Sequence, residues 1–231
     1  MQAVILCGGK GIRMGELTKE NPKPLLYVGD KTILEHKLDN LPQEITEIIL
    51  VIGYKKEKII EKIGDTYKNL PVKYIEDRTI SGTAHALWQV KDILKDRFIV
   101  MMGDDMYSKD AIRDCAQYDF SIVCKIAQRE EAGSRIVIDA KGNLIDFVTP
   151  IIYRRSHVDG GLIFTGLYSL TTDIFNYEPV KLELKDEWGL PQTILKVAND
   201  REIKIVKTDF WLPVGSPEEL ARAENYLSKN A

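Results

Sequence analysis

Short apolar runs alternate with amphipathic stretches through the first hundred residues. QAVILC (2–7), EIILVIG (47–53), VKYIED (72–77) and RFIVMMG (97–103) are runs of strand length closed by glycine or an acidic residue. Continuous apolar character of that length fits strands buried on both faces. Between them, TILEHKLDNL (32–41) carries Ile33, Leu34, Leu38 and Leu41 at helical spacing. KKEKIIEKIG (55–64) reads as an amphipathic helix stopped by Gly64, and GTAHALWQVKDIL (82–94) as another helix. Strand and helix in alternation predict a parallel sheet covered on both faces.

The pattern changes after residue 120. SIVCKIA (121–127), SRIVID (134–139) and NLIDFV (143–148) are short strands, and Ala140-Lys141-Gly142 suits a hairpin turn between the last two. GGLIFTGLYSL (160–170) is a strand broken at Gly166, and IKIVKTDFWL (203–212) a late one. SPEELARAENYL (216–227) is a closing helix with Ser216 as N-cap, Pro217 in the first helical position and Glu219 at capping-box spacing. The expected fold is α/β: a Rossmann-like, doubly wound mixed sheet in one domain spanning residues 1–231, with antiparallel additions in the C-terminal half.

Composition narrows the function. With 231 residues, 44% hydrophobic and 29% charged, the chain has the make-up of a soluble globular protein. A net charge of −3 disfavours general nucleic-acid binding. Cys7, Cys115 and Cys124 have no metal-ligand spacing, and an odd, sparse count fits buried thiols in a reducing compartment. No apolar stretch approaches the ~18 residues of a membrane span, and no signal peptide is apparent. A cytoplasmic protein with no membrane partner is expected.

The chemistry gathers in LCGGKGIRM (6–14), at the end of the first strand. The GxxxxGK[ST] phosphate loop is absent, and Met14 stands where a dinucleotide fingerprint needs its third glycine. Gly15, Pro22 and Pro24 then prolong the loop, which suits one that wraps a ligand. Glycines let backbone N–H groups approach anionic oxygens, and Arg13 can grip phosphate bidentately. In ENPKPLL (20–26), Lys23 stands between two prolines, which bias it toward extended backbone and present it stiffly. In an open parallel sheet, ligands collect beyond the carboxyl ends of the strands. The first loop, the 77–82 segment and Gly103-Asp104-Asp105 all follow predicted parallel strands.

LCGGKGIRM followed by NPKPLL resembles the sugar-1-phosphate nucleotidyltransferases over nearly the whole chain. SGTAHAL (81–87), MGDD (102–105), FTGLYSL (164–170), ELKDEWGLP (183–191) and WLPVGSPEEL (211–220) follow in that family's order. The resemblance implies transfer of a nucleotidyl group from a nucleoside triphosphate to a sugar 1-phosphate. It implies Arg13 on the triphosphate and Lys23 on the reacting phosphates as catalytic residues. Leu6, Gly8, Gly9, Gly11, Asp77, Gly82 and Thr83 would bind nucleotide, Thr165 and Gly166 the sugar, and Asp104 a Mg²⁺ ion. Lys10 is read equally as a surface charge, and Asp105 as a turn neighbour of Asp104. An ionised Asp77 offers only acceptors, which suits the donor edge of guanine or the amino group of cytosine. A strand-end aspartate without base contact is the alternative. His85 is read as packing.

Three positions depart from the family pattern. Where relatives carry an aspartate in the WxDxG segment, this chain has Pro213. Asp209 lies four residues earlier on the predicted strand, two repeats of ~6.6–6.8 Å away, and is a poor substitute ligand. Val148-Thr149-Pro150 replaces an acidic-lysine-proline segment, and Phe164 replaces the asparagine before Thr165-Gly166. Asp186 and Glu187 are candidate sugar contacts or exposed helix-start acids. Trp188, Tyr168 and Phe175 are pocket or core aromatics. The expected partners are the two phosphate substrates, and a homo-oligomer is allowed. Two other readings stay open: a cytidylyltransferase acting on a phosphoalcohol, and a catalytically silent nucleotide-binding regulatory subunit.

Overall fold

The structure is a computed structural model that describes residues 1–127, 131, 133–148, 161–183 and 185–230. The first half alternates as its pattern predicts: β1 (Gln2–Cys7), α1 (Ile33–Asp39), β2 (Glu47–Ile52), α2 (Lys56–Ile63), β3 (Leu70–Glu76), α3 (Thr83–Trp88) and β4 (Arg97–Met102). The second half adds β5 (Asp105–Tyr107), α4 (Lys109–Cys115), β6 (Ser121–Ile126), β7 (Arg135–Ile138) and β8 (Leu144–Val148). It continues with β9 (Leu162–Thr171), α5 (Leu190–Ala198), β10 (Lys204–Thr208), β11 (Trp211–Pro213) and α6 (Pro217–Asn230).

Strands β3-β2-β1-β4 lie side by side and parallel. The strand order reverses between β1 and β4, so loops leaving these neighbours diverge and open a crevice at their carboxyl ends. The long β9 continues the sheet antiparallel to β4, then serves β7 with its other half, while β6 lies along its opposite edge. The register of β6 against β9 shifts between Phe164 and Tyr168, around Gly166 at φ 79°. The mixed α/β architecture with antiparallel C-terminal additions is therefore as expected.

Successive residues of β1 face opposite sides, as a pleated strand requires. Ala3, Ile5 and Cys7 pack with Leu34, Leu38, Ile59 and Ile112 on one face. Val4 packs with Ala84, Leu87, Leu190, Ile194 and Val197 on the other. A smaller cluster of Met14, Leu26, Val28, Ile33, Met106, Val214 and Ala223 fastens the first loop to the C-terminal helix.

Two element predictions need correction. The run 203–212 is two strands: β10 pairs with β6 in the main sheet, whereas β11 pairs with β5. Thr208 separates them, its hydroxyl accepting from the Phe210 N–H at 3.2 Å in a tight turn. The helix predicted over 82–94 stops at Trp88; fully buried Val90 leaves helical geometry at φ −104° and ψ 1°, and Lys91–Ile93 forms a 3₁₀ turn. The 140–142 hairpin turn is present, with Asp139 accepting from the N–H groups of Lys141 and Asn143 and Gly142 at φ 88°. Thr149, Pro150 and Gly160 lie outside the described residues. Among the described residues, no helix is long and apolar enough to cross a membrane.

Candidate active site

The glycine loop springs from β1 at the topological reversal. Leu6 accepts from the Gly103 N–H and Gly8 from the Tyr54 N–H, which ties the loop's root to both neighbouring strand ends. Gly11 has φ 62°, and a Cβ there would lie 3.0 Å from Thr18 Cγ2 and 3.2 Å from Lys23 Cβ. Glycine is thus required both by conformation and by the close passage of the lysine segment. Met14, at the position of the missing third glycine, is an anchor with 1% exposure. Arg13 remains exposed, with its guanidinium beside Gly215; a Cβ on Gly215 would come within 3.0 Å of Arg13 Nη2.

Lys23 is only 6% exposed, and its ammonium pairs with the Asp104 carboxylate at 2.5 Å. The extended backbone expected of Lys23 belongs instead to Pro22, at φ −66° and ψ 146°. Lys23 opens a 3₁₀ turn, Lys23–Leu25, and Pro24 sits in its first turn, where a missing N–H costs nothing. This turn aims the lysine inward at Asp104, which follows β4 and whose backbone carbonyl accepts from the Val214 N–H at 3.1 Å.

Beneath this pair lies a lysine that the sequence reading passed over. Lys37, in α1, is fully buried and donates to the Met102 carbonyl at 2.5 Å. Its position was legible, because Lys37 falls on the same helical stripe as Ile33, Leu34, Leu38 and Leu41. Burial pushes its pKa down, while Cys7, Asp105 and Asp104 oppose the shift. Asp105 heads β5, and burial, reinforced by Asp104, pushes its pKa well up. The Tyr107 hydroxyl donates to the Thr165 carbonyl at 2.9 Å and stands 3.4 Å from Asp105. The buried Trp211 indole N–H faces the Asp105 carboxylate and draws its pKa back down. Pro213 pairs with Asp105 across the β5–β11 ladder, so its ring stands where a carboxylate would have joined the acidic pair. Asp209 belongs to the break between β10 and β11, not to one continuous strand.

Asp77 closes the third strand end and is 3% exposed. Its Oδ1 accepts from the N–H groups of Thr79 and Ile80 at 3.2 and 3.0 Å, and from the Thr79 hydroxyl at 3.1 Å. Ile80 consequently adopts φ 50°, unusual for a β-branched residue. His85 braces the turn through Thr79 and Gln89 at 3.3 and 3.1 Å. Gly82 and Thr83 are clamped to the Trp188 segment. A Cβ on Gly82 would meet the Trp188 carbonyl oxygen at 2.5 Å, and Thr83 Oγ1 accepts from the Leu190 N–H at 3.0 Å.

Leu6, Gly8, Gly9, Gly11, Arg13, Lys23, Asp77, Gly82, Thr83 and Asp104 all line one cavity of about 690 Å³. Lys10, Glu187 and Gly215 line it too. Glu187 is one of the two acids considered for the sugar; Asp186 pairs with Lys181 at 2.7 Å instead. Thr165 and Gly166 do not line it. Thr165 is 1% exposed and donates to the Val123 carbonyl, and Gly166 packs behind Met102. Tyr168 is buried against Phe164, Phe175 against Trp88 and Phe98. No motif rule singles out Gly215, because its contact with Arg13 is steric; its place in the VGSPEEL segment is the available signal.

Residues 2–230 match the Nucleotidyl transferase family over almost the full length. The chain belongs to that family. It is 32% identical over 238 residues to the UTP–glucose-1-phosphate uridylyltransferase AglF of Haloferax volcanii, with 99% of this chain and 97% of that protein aligned. It is 31% identical to the bifunctional protein GlmU of Methanocaldococcus jannaschii, spanning 98% of this chain but only 54% of that protein. It thus covers about half the length of that relative. A D-glycero-α-D-manno-heptose 1-phosphate guanylyltransferase of Campylobacter jejuni is 28% identical, aligning with 95% of this chain and 96% of its own. The fold is shared with a putative glucose-1-phosphate thymidylyltransferase of Bacillus anthracis, at a TM-score of 0.83 and 21% identity over 98% of this chain and 94% of that one. The family membership and fold expected from the motifs are both borne out.

Proposed function

We propose that this nucleotidyl transferase joins a nucleoside triphosphate to a sugar 1-phosphate, releasing pyrophosphate. The observation that carries this reading is the convergence of the glycine loop, Lys23 and Asp104 on one cavity at the sheet's topological reversal. An oxygen of the sugar phosphate attacks the α-phosphorus in line. That P–O bond forms as the bond to the bridging oxygen of pyrophosphate breaks, and pyrophosphate leaves with the electron pair. No proton need be removed from an anionic nucleophile, so the protein supplies position and positive charge. Lys23 holds the reacting phosphates, Arg13 the triphosphate, and the N–H groups around Gly8, Gly9 and Gly11 form the cradle. The 77–83 turn takes the nucleobase. Glu187, on the same cavity wall, takes sugar hydroxyls, while Thr165 and Gly166 shape the sugar end through the strand behind it.

Mg²⁺ fits one feature of this site. Asp104 presents a partly exposed carboxylate to the cavity, and among the described residues no group of three or more His, Cys, Asp or Glu gathers into a metal cage. Mg²⁺ usually takes one or two carboxylates with substrate phosphates completing its shell. When bound, the ion would neutralise charge on the phosphates. The three free, buried cysteines fit a reducing compartment, and we place the reaction in the cytoplasm.

Pyrophosphate release, measured with the four nucleoside triphosphates against a panel of sugar 1-phosphates and phosphoalcohols, tests the reading. Turnover with a sugar 1-phosphate supports it. Turnover confined to a phosphoalcohol, or nucleotide binding without turnover, contradicts it.

A further inference from the structure

A lysine buried to zero exposure and held by a carbonyl is a costly core residue, since a methionine of similar length would fill the space without desolvating a charge. Lys37 also lies where charge matters. Its ammonium donates to the Met102 carbonyl, immediately before the Gly103-Asp104-Asp105 turn. Cys7, Asp104, Asp105 and Lys23 are its charged or titratable neighbours, and the Tyr107 ring centroid lies 5.8 Å from its ammonium. Lys23 already pairs with Asp104 from the cavity side, and Pro213 brings no third carboxylate beside Asp105.

We infer that Lys37 is a positioning residue for the metal-bearing turn: from beneath, its ammonium fastens the strand end that presents Asp104 and offsets the paired carboxylates, leaving Asp104 alone to face the metal. The inference rests on the reading of Asp104 as the metal ligand. Two lysines stand against the Asp104-Asp105 turn before any ion arrives, so the site attracts a divalent ion weakly until substrate phosphates complete its shell. Tight metal binding in the empty site would hold the ion against carboxylates and away from the phosphates. A buried ammonium beside the carboxylates sets that balance and at the same time fixes their backbone.

The test is Mn²⁺ binding to the substrate-free protein, followed by electron paramagnetic resonance, together with steady-state turnover. Lys37→Met removes charge and hydrogen bond; Lys37→Gln removes the charge but keeps a donor, and serves if the methionine variant fails to fold. Both neutral variants are expected to bind Mn²⁺ about tenfold more tightly than the parent while kcat falls. Lys37→Gln should keep more of its turnover than Lys37→Met. A merely structural role would weaken both quantities together. Asp104→Asn is the control and should abolish Mn²⁺ binding. If it does, and folded Lys37 variants bind Mn²⁺ as the parent does or more weakly, the role of Lys37 is overturned alone. If Asp104→Asn leaves Mn²⁺ binding intact, the metal reading of Asp104 falls, and the inference with it.

Discussion

At the scale of single residues, the proposed roles divide into groups that would touch substrate and groups that shape the cavity. Lys23 is buried, paired and aimed by a turn, so Lys23→Ala should reduce kcat at least 100-fold while circular dichroism and Tm stay close to those of the parent. Unchanged kinetics would remove its assigned role. Asp77 spends one carboxylate oxygen on two backbone N–H groups and a hydroxyl. Asp77→Asn preserves an acceptor for that turn and should leave the ranking of nucleotides unaltered, whereas Asp77→Ala should lower kcat/KM for all of them. A ranking that changes with Asn would give Asp77 the base contact considered from the sequence. Cys7, Cys115 and Cys124 are all buried and free, and burial pushes the Cys7 and Cys115 thiols up to about 12 and Cys124 further. None should react with an aromatic disulfide reagent at pH 8 until the protein is unfolded; rapid native labelling would contradict their burial.

At the scale of elements, ligand geometry depends on close approaches that glycine alone permits. Gly82 has φ 101° and lies against the Trp188 backbone, so Gly82→Ala should destabilise the protein by about 2 kcal/mol and separate the 77–83 turn from the wall that carries Glu187. Denaturant unfolding and kcat/KM measure the two effects. Asp39 joins three elements: it ends α1 and accepts from Lys31, Lys68 and Tyr67. Burial alone would raise its pKa, but these hydrogen bonds outweigh burial and hold it well below the usual carboxylate range. A folded-state pKa below the unfolded value of ~3.9 adds stability above that pH, which is lost as pH falls through the lowered value. Asp39→Asn should therefore cost about 1 kcal/mol at pH 7, with the gap to the parent closing progressively below about pH 4 in urea titrations.

Elements were legible where one local signal dominated. The apolar runs of β1, β2 and β4 and the capping-box spacing of Ser216 with Glu219 speak for themselves. The break at Thr208 was not legible, because the strand period continues on either side while pairing partners change. Lys37 shows in the sequence as a cation on the apolar stripe of α1, but its acceptor, the Met102 carbonyl, lies 65 residues away and only the fold brings the two together.

At the scale of the molecule, everything follows from strand order. Parallel β3-β2-β1-β4 forces the loops after β1 and β4 apart and leaves a crevice floored by strand ends. The antiparallel half then supplies the remaining walls: β5 and β11 place Asp105 beside Pro213, and the segment before α6 brings Gly215 against Arg13. Motifs read separately along the sequence meet because they all occupy one edge of one sheet. Strand β9 is the exception. Thr165 and Gly166 could be located in sequence, but only the turn of β9 at Gly166 shows that they lie behind the cavity wall rather than on it.

The most direct test is a crystal structure with a non-hydrolysable nucleoside triphosphate analogue, a sugar 1-phosphate and Mn²⁺. The account predicts the triphosphate along residues 8–13, Lys23 turned from Asp104 onto phosphate, and the metal's anomalous signal at Asp104. Nucleotide bound elsewhere, or bound here with Lys23 and Asp104 both remote from its phosphates, would contradict it.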